Sequence, residues 1–184
     1  MYNINLMVFK PEIHNRRSIR LKGYDYSNDG AYFVTVCSYK KELIFSSVGA
    51  GLASARNYND LIILKPPGKI ILNCLNKIPM RFANVEIDEF IIMPNHLHVI
   101  IIINNRNRVD ARPTPTLGDI ICAFKSECVN DYIKYINDNN LIKSGKLWQR
   151  NYYDRVIGND MELNAYRKYI NDNPANWVDD EYFM

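Results

Sequence analysis

The sequence has no pair of cysteines spaced C-x-x-C. Its four, Cys37, Cys74, Cys122 and Cys128, stand apart among apolar residues. That argues against a zinc ribbon and for buried free thiols. Long hydrophobic runs are missing too. The longest wholly apolar stretch, residues 99–103, is far short of the roughly 20 residues a membrane helix needs. The opening MYNINLMVFKPEIHNRR has neither the apolar core nor the small-residue cleavage site of a signal peptide. A reduced, cytoplasmic protein with no membrane partner is expected. No G-x-x-x-x-G-K-[ST] loop occurs, so nothing marks an ATP-driven enzyme. Internal repeats and low-complexity tracts are absent. Excess charge is small, at +3 with a pI near 8.6. That is compatible with a nucleic-acid partner without demanding one. Histidine is scarce: there are three, and two stand one residue apart.

What is present suits one domain with a full core: 184 residues, 47% hydrophobic and 23% charged. Residues 14–22, HNRRSIRLK, form a basic arm without an acid. It can hold phosphates or simply be solvated. Residues 31–39 are rich in β-branched and aromatic side chains and read as a strand. Residues 43–48 and 61–64 read as two short strands of a hairpin excursion. Pro66-Pro67-Gly68 opens a helix with Ile70, Ile71, Cys74, Leu75 and Ile78 at helical spacing. Strands are expected over 85–93 and 97–103, the second apolar on both faces and so central. A polar linker, 104–116, carries Arg106, Arg108 and Arg112. Thr116 caps a helix reaching about residue 137, with Leu117, Ile120, Ile121, Phe124, Cys128 and Tyr132 in its stripe. Residues 147–157 are expected as a fourth main strand. Asn159 and Glu162 form a capping-box pattern for a last helix that ends near Asn173-Pro174. The order is βαββαβ, the ferredoxin-like α+β arrangement with an antiparallel sheet, plus a C-terminal helix.

Met93-Pro94-Asn95-His96-Leu97-His98 carries the first candidate site. In a strand, residues i and i+2 share a face, so His96 and His98 project side by side and suit one metal ion. Two solvent-facing or hydrogen-bonded histidines are the plainer alternative. On the last helix Tyr169 and Asn173, four apart, stack at the rim of the Leu163, Tyr166 and Ile170 stripe. There they either reach a cleft or pack at the domain edge.

Taken together, His96-Leu97-His98, Phe124-Lys125-Ser126, Trp148-Gln149-Arg150-Asn151-Tyr152-Tyr153-Asp154-Arg155 and Tyr169-Ile170-x-x-Asn173-Pro174 resemble the single-tyrosine HUH transposases of the IS200/IS605 type. Within that group the chain is most similar to the REP-associated tyrosine transposases. The resemblance runs from about residue 16 to 177 and implies one domain over residues 1–184. It implies a ferredoxin-like fold and cleavage and rejoining of single-stranded or hairpin DNA, through a 5′-phosphotyrosine and a free 3′-hydroxyl. It assigns metal ligation of Mg²⁺ or Mn²⁺ to His96 and His98, the nucleophile to Tyr169, and a further ligand to Asn173. Better-characterised relatives carry glutamine at that last position. Candidate DNA contacts are Arg16, Arg17, Arg20, Lys125, Arg150, Tyr152, Tyr153 and Arg155. Tyr152 and Tyr153 alternate in a strand, so one of them is expected in the core. The resemblance admits a monomer or a homodimer. It also admits a domesticated protein that binds palindromic repeats without cutting.

Overall fold

The structure, a computed structural model, describes residues 23–49, 61–105 and 114–183. The arm bearing Arg16, Arg17 and Arg20 lies outside the described residues, as do Arg106, Arg108 and Arg112. The elements run β1 (Gly30–Cys37), β2 (Ser46–Val48), β3 (Ile62–Leu64), α1 (Pro66–Arg81), β4 (Val85–Ile92), β5 (His96–Ile103), α2 (Leu117–Asp138), β6 (Tyr153–Ile157) and α3 (Asp160–Asp172).

The main sheet has the order β4-β5-β1-β6, and every pairing is antiparallel. This is the ferredoxin-like order, with the third and first main strands in the middle. The two central strands are therefore β5 and β1, as the apolar run after His98 foretells. The β2–β3 pair forms a separate two-stranded sheet, the expected hairpin excursion. It packs tightly on the start of α1. A Cβ on Gly68 would collide with the Phe45 carbonyl oxygen, so only glycine fits that approach.

Alternation along β5 and β1 splits the apolar residues into two cores. Leu97, Val99 and Ile101 of β5 and Val34 and Val36 of β1 face one side. There they meet Ile71, Leu75 and Ile78 of α1 and Ile120, Phe124 and Cys128 of α2. Phe33 and Ile100 face the other side, toward Ile170, Tyr166 and Tyr169 of α3. The two helices of the βαβ units, α1 and α2, cover one face, and the added helix covers part of the other. Thr116 makes the full capping box with Asp119 at the start of α2. At α3, Asn159 accepts from the Glu162 backbone, while Glu162 reaches back to the Gly158 N–H, one residue earlier than a standard box.

Two expectations are corrected. Cys74 and Cys128 are buried, but Cys122 is exposed and Cys37 half-buried. The fourth main strand covers only Tyr153–Ile157. Before it, the ammonium of Lys125 donates to the carbonyls of Gln149 (2.6 Å), Arg150 (3.2 Å) and Asn151 (3.4 Å). Those carbonyls are turned toward one cation, so they leave the ladder. A single bridge from Ser38 to Trp148 is all that continues the pairing.

Candidate active site

The site lies where the start of β5 meets α3. The strand places His96 and His98 on the α3 side of the sheet, with ring centroids 4.4 Å apart. Leu97 points into the opposite core and is fully buried. Both imidazoles are sealed from solvent, at 0% and 1% exposure. Burial disfavours the imidazolium. It holds His98 down to about 3 and His96 well below the ordinary histidine range, with His98 and Lys41 adding to the effect on His96. Both rings are thus neutral donors at any ordinary pH.

Hydrogen bonds fix which nitrogen of His96 is bare. The Asn95 Nδ2 donates to the Tyr182 carbonyl at 2.8 Å, which orients the amide. Its Oδ1, 2.9 Å from His96 Nδ1, can only accept. The proton of His96 therefore sits on Nδ1, and Nε2 carries a lone pair with no hydrogen-bond partner. For His98, Nδ1 lies 2.8 Å from the Thr35 hydroxyl on β1. Its Nε2 lies 3.4 Å from the Tyr169 hydroxyl.

Phe33 sets the His98 plane. It stacks on His98 at 5.2 Å and on Tyr166 at 4.5 Å, so one aromatic column ties the strand to α3. Tyr169 then meets His98 edge-on, with centroids 5.2 Å apart. Its hydroxyl is pushed well above the ordinary tyrosine range, chiefly by burial and then by Asp180 and Glu181, while Asn173 favours the phenolate. Helix α3 is docked by Arg167, whose guanidinium grips both oxygens of Asp88 on β4, at 2.8 and 2.5 Å.

After α3 the chain folds back over the pair through a short 3-10 turn, Trp177–Asp179. Tyr182 lies over His96, with centroids 4.6 Å apart. The side chain of Asp180 is 2% exposed, and its Oδ2 stands 3.9 Å from His96 Nε2. Burial raises the Asp180 carboxyl above the usual range, against hydrogen bonds from the Tyr182 backbone and Asn173. Asn173 donates Nδ2 to Asp180 Oδ2 at 2.9 Å, and its buried Oδ1 has no partner. One donor atom each from His96, His98 and Asp180 fits within 4.8 Å of the others. Two neutral imidazoles and one carboxylate form a donor set that fits a divalent ion.

Helix α3, matched to the strand, brings together His96, His98, Tyr169 and Asn173, as the sequence expects. Tyr153 and Arg155 lie on the same face, in β6. Tyr153 pairs with Thr35, which pairs with His98, so the three form one row across the sheet. Arg155 and Arg150 are exposed. Tyr152 turns to the opposite core, as alternation requires. Lys125 is spent on the 149–151 carbonyls.

Sequence reasoning missed Asp180 and Lys41, whose charge acts on His96, and a further pair of lysines beside Tyr39. Lys40 and Lys41 follow β1 with φ of 54° and 57°, a left-handed conformation that costs energy in non-glycine residues. The Lys41 ammonium stands 5.2 Å from the Tyr182 ring. Those of Lys40 and Lys146 stand 5.6 and 5.1 Å from the Tyr39 ring. No periodicity marks these residues, because a strained turn and a folded-back tail place them.

A family model described as IS200-like transposase matches residues 63–173, which run through α1 and the histidines to α3. The chain belongs to the IS200-like transposase family. A protein of Haemophilus influenzae (strain ATCC 51907 / DSM 11121 / KW20 / Rd), itself described as uncharacterized, is 36% identical over 186 residues, 94% of this transposase-family chain and 95% of that protein. The solved structure of the REP-associated tyrosine transposase bound to a REP hairpin is similar in fold. It gives a TM-score of 0.52 at 16% identity, covering 86% of this chain and 73% of that one.

Proposed function

We propose that this chain cleaves and rejoins single-stranded DNA through a covalent bond to Tyr169, as one catalytic domain over residues 1–184 acting in the cytoplasm. The observation that carries this is the Tyr169 hydroxyl 3.4 Å from the Nε2 of a buried, neutral His98. A divalent ion, Mg²⁺ or Mn²⁺, bound by His96 and His98 would polarise the scissile phosphate and offset its charge. Every other part of the reaction belongs to side chains of the protein. Tyr169 presents its oxygen to phosphorus from the rigid α3. Its oxygen bonds to phosphorus, the 3′-oxygen leaves with the electron pair, and the proton lost by the tyrosine balances the one gained by the 3′-hydroxyl. Attack by a 3′-hydroxyl on the phosphotyrosine reverses the step. The energy of the bond is kept, in line with the lack of an ATP loop in the sequence.

Tyr153 and Arg155, on the face of the histidines, are placed to meet the strand, together with exposed Arg150. Lys41 adds positive charge beside Tyr182, and the Tyr39 ring flanked by Lys40 and Lys146 offers a surface for a base. Arg16, Arg17 and Arg20 are proposed to grip the DNA backbone. Lys125 acts on DNA only through the 149–151 loop it holds. Tyr152 serves the core. The bound ligand of the fold neighbour is a REP hairpin, and we take hairpin-bearing single strands as the substrate class here.

A second reading is a non-cutting protein that binds palindromic repeats. It is favoured by the cover over the histidines: His96 is 0% exposed beneath Tyr182. One assay separates the two. Labelled hairpin DNA is incubated with the protein and Mn²⁺ and run on a denaturing gel. A protein-linked label is expected with wild type and its loss with Tyr169→Phe. Tight binding without any adduct would establish the second reading instead.

A further inference from the structure

We propose that Asp180, from the folded-back tail, is the third protein ligand of the divalent ion, and that Asn173 positions Asp180 rather than binding the ion. The inference rests on the reading that His96 and His98 hold such an ion. His96 Nε2 carries no proton, because Asn95 Oδ1 takes the one on Nδ1. Asp180 Oδ2 stands 3.9 Å from that nitrogen. An ionised carboxylate can only accept. Two acceptors thus face each other across a gap that water does not reach.

Such an arrangement is costly unless a cation lies between the two atoms. Two donors each about 2.1 Å from one ion stand at most about 4.2 Å apart. The observed 3.9 Å lies within that span. His98 supplies the third donor of a group held within 4.8 Å. Two histidines and one carboxylate are a recurrent catalytic metal set that leaves positions open for substrate oxygens.

The amide of Asn173 holds the same carboxylate. Its Nδ2 must face Asp180, since a carboxylate cannot donate back. Its Oδ1 is then the buried atom left without a partner. The side chain that family resemblance assigns to the ion thus spends its amide nitrogen on aiming the carboxylate. The Tyr182 N–H holds the other oxygen, Oδ1, at 2.6 Å. Asparagine is one methylene shorter than glutamine, and a carboxylate one step further out makes up the reach.

The test is direct Mn²⁺ binding to the full-length protein without DNA, read by the loss of the free-ion EPR signal. Asp180→Asn keeps the shape, and its amide can donate to His96 Nε2. Without metal it is expected to melt at or above the wild-type temperature, while its Mn²⁺ dissociation constant rises about tenfold or more. Asp180→Glu is expected to recover part of that loss. Asn173→Ala is expected to weaken binding less than Asp180→Asn. Equal Mn²⁺ affinity in wild type and Asp180→Asn overturns the proposal, as does a larger loss in Asn173→Ala or no Mn²⁺ binding by wild type. The Tyr169 adduct assay is independent. An adduct with unchanged Mn²⁺ affinity in Asp180→Asn sinks this inference alone. Asp180-dependent binding with no adduct sinks the cleavage reading alone.

Discussion

The hydroxyl of Thr35 faces Nδ1 of His98, while Tyr169 faces Nε2 of the same ring. The Thr35 oxygen sits 2.8 Å from Nδ1 on the neighbouring strand. An ion on Nε2 would require the His98 proton on Nδ1, and the Thr35 hydroxyl is then placed to accept it. Partners of this kind fix the tautomer and ring angle of metal-binding histidines, and their loss typically costs about 10–100-fold in affinity. Thr35→Val preserves the shape and the β-branch that suits the strand. It is expected to keep the fold, by circular dichroism, and to weaken Mn²⁺ binding about tenfold or more. Unchanged affinity would show that the ring is held by Phe33 stacking alone. His96 is fixed differently, through Asn95 and the Tyr182 carbonyl, so its tautomer depends on the tail.

Helix α3 is where the candidate site was most legible and also where it hides most. Its cap at Asn159, its apolar stripe and the Tyr169–Asn173 spacing are all written in local sequence at a 3.6-residue period. How the helix is aimed is not. That depends on Asp88, which sits where the β4–β5 register shifts between Ile87 and Phe90. The irregularity presents the carboxylate to Arg167, 79 residues away in sequence. No local pattern carries a partnership of that range, and a bulge leaves only a weak mark on alternation. Lys125 is a similar case. Its place on α2 was readable, but its use of three carbonyls, which shortens β6, follows from packing. The bidentate pair is partly exposed, so its weight in stability is small. Its weight in positioning is larger, since a misplacement of about 1 Å at a reacting group can cost about 100-fold in rate. Asp88→Asn is expected to slow Tyr169 adduct formation about tenfold, with DNA affinity within about twofold of wild type. Gel-shift titration and single-turnover gels measure the two. A matching loss in both would mean that the pair contacts DNA rather than aims the helix.

At the scale of the whole molecule, the βαββαβ order was readable because all the main elements but β6 are long and strongly patterned. The sheet order follows from that topology and from β5 being apolar on both faces. Asp180 was unreadable for the opposite reason. It follows a single 3-10 turn with no period to extend, and only the fold shows the tail passing over the histidines. The same closure bears on assembly. Tyr169 reaches His98, Asp180 reaches His96, and Arg167 reaches Asp88, all within one chain. A helix tied by both its side chain and its following tail has little freedom to serve a neighbour. Mixing Tyr169→Phe with His98→Ala, each inactive alone, is therefore expected to give no adduct at any ratio. If subunits exchanged α3, mixed dimers would hold one intact site built from His98 of one subunit and Tyr169 of the other, and the label would return. Co-refolding the two variants before the assay removes slow exchange as an explanation. The mixture then reports directly whether the site is built within one chain.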